Sequence, residues 1–111
     1  MNDAVPRTRS PTVRGGLERG EVEREIRRHL RAVRHCYERV LLFAPNPGGK
    51  VVVTWRITAS GDTRDATVAG TAHDLVQRCV ARVFSRMRFP APRGGGEVSV
   101  AYPIVFSRAG R

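Results

Sequence analysis

The sequence predicts an α+β fold: a two-layer α-β-β-α-β domain with two helices on one face of a three-stranded antiparallel sheet. Three observations predict it. Two stretches repeat apolar residues at steps of three and four, three others alternate apolar with polar residues, and Pro- or Gly-rich punctuation separates them. At 111 residues the chain suits one domain with a modest core.

The first helix is expected over residues 21–43. Val22, Ile26, Leu30, Val33, Tyr37, Val40 and Leu41 share one face, and Arg24, Arg27, Arg28, Arg31 and Arg34 share another. Glu18, Glu21, Glu23 and Glu25 gather at its start, where the helix dipole favours carboxylates. Pro45, Pro47, Gly48 and Gly49 stop it.

Residues 50–58, "KVVVTWRIT", read as a strand with Val51, Val53, Trp55 and Ile57 on one face. The turn "ASGD" and a weaker strand over 63–69 complete a hairpin. The second helix spans 73–87, with Thr71 expected as its cap and Asp74 as the reciprocal partner. Its apolar face is Leu75, Val76, Val80, Val83 and Met87, and it ends at Phe89-Pro90, because proline disfavours helix in the residue before it.

Three glycines at 94–96 give slack before a third strand, residues 97–106. There Val98, Val100, Tyr102, Ile104 and Phe106 alternate with smaller or polar residues. A helix crosses between the second and third strands, so these two run parallel. The sheet is antiparallel throughout only if the strand order is 2-1-3, which makes the third strand an edge. Pro103 fits that position, since proline in a sheet is mostly confined to edges with its nitrogen off the ladder. Ser99, Ala101 and Val105 then turn their backbone groups outward with Pro103, as a site for an extended partner segment or a second copy of the chain. Residues 1–16 read as a flexible basic tether, 17–107 as the folded domain and 108–111 as a tail.

All but Lys50 of the 20 basic residues are arginines, and the formal charge is +10. Such a surface attracts anionic polymers. The arginines are dispersed, and Tyr37, Trp55 and Tyr102 sit on core faces, so nucleic acid is disfavoured as a partner. An anionic-polymer face on the first helix (Arg24, Arg27, Arg28, Arg31, Arg34) is the alternative reading. His29, His35 and His73 lack metal-ligand spacing, and the carboxylates form no acid–base pair. No metal, cofactor or catalytic residue is expected, and the chain is read as non-enzymatic. No apolar run approaches the ~20 residues of a membrane span, and the N-terminal stretch has no signal-peptide core. A membrane anchor is therefore not expected in this chain; as a whole reading frame it would be cytoplasmic. Cys36 and Cys79 flank the two apolar helix faces, either bridged or as two small buried thiols.

Three segments carry a family resemblance: "RHCYERVLLFAPNPGGKVVVTWRITASGD" (34–62), "CVARVFSRMRFPAP" (79–92) and "GGGEVSVAYPIVF" (94–106). The chain resembles the TonB-like C-terminal domain of the AgmX/PglI type over about residues 17–106, most specifically at Arg34, Cys36, Tyr37 and Glu38 and at the cysteine preceding "RFPAP". The resemblance implies a periplasmic protein-interaction domain of an inner-membrane-anchored protein, in an envelope-spanning or gliding-motility system coupled to inner-membrane energy. Its edge strand would pair with an extended segment of an outer-membrane or envelope protein. The anchor helix and long Pro-rich spacer of TonB proteins are not in this sequence, which reads either as an excised domain or as a short relative that cannot transduce force alone; peptide binding carries over in both cases. An oxidising periplasm favours a Cys36–Cys79 disulfide.

Overall fold

The computed structural model describes residues 4–8 and 10–108. Its elements are β1 (Ala4–Thr8), β2 (Thr12–Arg14), α1 (Arg19–Leu41), β3 (Gly49–Ile57), β4 (Thr63–Gly70), α2 (Asp74–Ser85) and β5 (Val98–Arg108). The two-layer α+β class and the β4-β3-β5 order stand as expected. The sheet is larger than three strands: β1 and β2 lie end to end along the outer edge of β5, and every pairing is antiparallel. The segment expected as a tether thus contains two strands, and β5 is an interior strand over most of its length.

The alternation in β3 and β5 does what its period dictates. Val51, Val53, Trp55 and Ile57, with Val98, Val100, Tyr102, Ile104 and Phe106, point into one core against both helices. Helix α1 contributes Val22, Ile26, Val33, Tyr37 and Val40; α2 contributes Val76, Val80 and Phe84. Trp55 packs between Phe84 and Phe89, at ring-centroid distances of 4.9 and 6.1 Å.

Helix α1 begins at a reciprocal capping box formed by Glu18 and Glu21, two residues before the expected start. Helix α2 is capped differently from expectation. His73 Nδ1 accepts from the Leu75 N–H at 3.0 Å, while Thr71 Oγ1 accepts from the Lys50 N–H. Thr71 extends the β3–β4 ladder, so its hydroxyl is committed before the helix starts.

The "FPAP" loop is tied down at both ends. The Phe89 N–H donates to the Gly61 carbonyl at 2.9 Å, and the Arg93 N–H donates to the Gly16 carbonyl at 2.8 Å. A Cβ on Gly61 would lie 2.1 Å from the Phe89 carbonyl oxygen, and one on Gly16 would lie 2.0 Å from that of Arg93. Both contacts require the missing side chain.

Candidate functional site

Backbone direction along the sheet follows from Lys50. Its N–H and carbonyl are both used by Thr71, on the β4 side. Even-numbered residues of β3 therefore bond to β4, and odd-numbered ones to β5. Val51, Val53, Trp55 and Ile57 pair with Ile104, Tyr102, Val100 and Val98. The backbone groups of Ser99, Ala101, Pro103 and Val105 consequently face away from β3, as the sequence implied.

That outward edge is occupied. Arg14 lies opposite Ser99, Thr12 opposite Ala101 and Arg7 opposite Val105. The expectation of an open edge is corrected here: the chain's own residues 4–8 and 12–14 pair along it. Pro103 lies where the covering strand breaks. Thr8 pairs with Ile104 and Thr12 with Ala101, so four steps of one strand oppose three of the other. A proline has no N–H to offer there, so the interruption of the cover costs the ladder no donor at that position. Pro6 obeys the same rule. It lies opposite Phe106, whose backbone serves β3, so the proline nitrogen points off the ladder.

The side chains of Ser99, Ala101, Pro103 and Val105 stand on the sheet face that carries no helix. One end of that face is a shallow concavity of about 360 Å³ lined by Thr12, Arg14, Thr54, Arg56, Ser99 and Ala101. Arg56 is already committed, to Asp65 and to Glu97 at 3.1 Å, and those carboxylates raise its pKa further. Asp65 reaches Arg56 because it takes a left-handed conformation (φ 58°) at a register shift between β3 and β4.

Cys36 and Cys79 are joined in a disulfide that links α1 to α2, with Cα atoms 5.6 Å apart. The arginines of α1 behave unequally. Arg28 lies 3.8 Å from Glu25, and Arg34 lies 3.8 Å from Glu38 with its Nε buried. Arg24, Arg27 and Arg31 are exposed; the charge of Arg24 acts on Glu21, while Arg27 and Arg31 have no acidic partner among the described residues. His29 bonds Glu25 at 2.9 Å and His73 caps α2, so neither ring is idle.

Two features escaped the sequence reading. The strand character of residues 4–8 and 12–14 is hidden by short length and by Pro and Arg; Thr12-Val13 was the usable signal. Leu75, placed on the apolar face of α2, is in fact exposed, and so are Leu42 and Phe43.

No helix among the described residues is long and apolar enough to cross a membrane. Compared with protein-family models, curated proteins and solved structures, the chain matches none.

Proposed function

We propose that this chain is a non-enzymatic protein-interaction module that binds an extended partner segment along the outer edge of β5, in place of its own N-terminal strand. The observation that carries this reading is the antiparallel seating of Ala4–Thr8 and Thr12–Arg14 on that edge. The edge accepts an extended chain, and main-chain pairing of this kind is tolerant of sequence. β1 is a five-residue strand paired along one side only, the kind of short element that opens locally at low cost. A partner replacing it would bond the backbones of Val105 and Ser107 and step over Pro103.

The Cys36–Cys79 disulfide supports an oxidising compartment, and with the TonB-like resemblance the proposed location is the periplasm. The partner is then an extended segment of an envelope or outer-membrane protein; a second copy exchanging β1 is the homotypic form of the same event.

The test is a chain truncated before Ser10 and titrated with a synthetic peptide of residues 1–9, followed by amide chemical shifts. Perturbation centred on Val105 and Ser107, repeated by candidate envelope peptides competing with that peptide, is expected. Perturbation confined to the α1 arginines would sink the reading and favour an anionic-polymer surface. That second reading rests on the exposed Arg24, Arg27 and Arg31. It predicts binding of an anionic polymer that weakens steeply with salt and is lost on Arg27→Glu/Arg31→Glu.

A further inference from the structure

Among the described residues, four large apolar side chains are exposed: Leu42, Phe43, Val52 and Leu75. Three of them meet. Leu42 (86 % exposed), Phe43 (66 %) and Leu75 (44 %) line one groove of about 360 Å³ between the end of α1 and the start of α2. The Cys36–Cys79 disulfide and Val40 also line it. Arg39 and Arg82 supply its charge, and neither has an acidic partner among the described residues.

The apolar residues are held in place. The Phe43 and Ala44 N–H groups both donate to the Val40 carbonyl, at 3.1 and 2.9 Å, so the helix winds tightly through Leu42. The Phe43 ring stands edge-on to His73, with centroids 6.4 Å apart and planes at 86°. An apolar cluster left in water on a rigid frame marks an interaction surface rather than a gap in the core.

We propose that this groove docks an acidic, apolar segment of a partner protein. A leucine or aromatic side chain of that segment enters between Phe43 and Leu75 above the disulfide, and its carboxylates meet Arg39 and Arg82. Charge selects this occupant. A second copy docking by the same patch would set two Arg39–Arg82 pairs against each other, on chains that each carry +10. A lipid surface would touch the protruding Leu42 and Phe43 but leave the concave floor unfilled. The groove shares no residue with the β5 edge, so this contact is independent of strand addition.

The test is selection of a phage-displayed random peptide library on the disulfide-bonded chain, with counter-selection on Phe43→Ser/Leu75→Ser. Both substituted residues are exposed, and circular dichroism with thermal melting checks that the variant folds. Enriched peptides are expected to combine leucine or aromatic residues with aspartate or glutamate. A synthetic representative should bind roughly tenfold or more weakly to Phe43→Ser and to Arg39→Glu/Arg82→Glu. Replacing its acids by lysine should abolish binding. The proposal is overturned by no Phe43-dependent enrichment, or by enriched sequences without acids. It is also overturned if phosphatidylglycerol vesicles bind through Phe43 while the peptides do not, or if sedimentation shows a dimer that Phe43→Ser dissociates.

Discussion

Arg93 grips both carboxylate oxygens of Glu21, at 2.9 and 3.0 Å, and the same guanidinium reaches the Gly16 carbonyl at 3.3 Å. One side chain thereby joins the loop before β5, the first turn of α1 and the chain leaving β2.

The Arg93 hydrogen bond, with the backbone bond from Glu18, pulls the Glu21 pKa from 4.5 down to about 2. The stabilisation is therefore complete above the unfolded value and fades as pH falls toward the folded one. The urea midpoint of wild type should exceed that of Glu21→Gln at about pH 6, and the gap should close by about pH 2. Added salt should narrow it as well, since the pair is partly solvated.

The disulfide spans 43 residues of sequence, and in the chain-entropy model such a loop stabilises by roughly 4 kcal/mol. Cys79→Ser, or reduction, should lower stability by up to that amount. The denaturant slope should rise, because the released unfolded chain exposes more surface. Intact mass with and without reductant checks the bridge itself.

Glycines divide into those with a neighbour and those without. Gly61→Ala meets the Phe89 carbonyl at a positive φ of 94° and should cost about 1–3 kcal/mol. Gly20 lies in α1 with nothing within 4 Å, so Gly20→Ala should stabilise by about 0.5–1 kcal/mol. Thermal melts of the two variants should move in opposite directions.

Phe84 is fully buried, 4.9 Å from Trp55 and 6.2 Å from Tyr102 between ring centroids. Phe84→Ala should cost about 3–5 kcal/mol, and Phe84→Leu less. Both should flatten the near-ultraviolet circular dichroism of Trp55, which reads packing rather than helix content.

The elements with a strong period were legible in the chain. The alternation from Val98 to Phe106 is enough to identify β5, its inward face and the outward backbone of Pro103. β1 and β2 were not legible, because a short strand exists by virtue of its partner. Nothing in "AVPRT" announces that Val105 and Ser107 lie opposite. The helical pattern puts Cys36 and Cys79 at the flanks of two apolar faces and leaves bridge or thiols open, and the resemblance points to the bond that the structure contains. The Leu42–Phe43–Leu75 groove was illegible for a different reason. Apolar residues at helix ends look the same whether they close a core or overhang it.

The pairing of Ala4 with Arg108 has a mechanical consequence. It puts the first and last described residues side by side at one end of the sheet. Tension entering through Ala4 and Arg108 therefore peels β1 from β5 one pair at a time, instead of shearing all their bonds together. Force reaches that seam first, while the disulfide keeps residues 36–79 from extending beyond a closed ring. Under load this domain would yield at its N-terminal strand and hold at its helix pair.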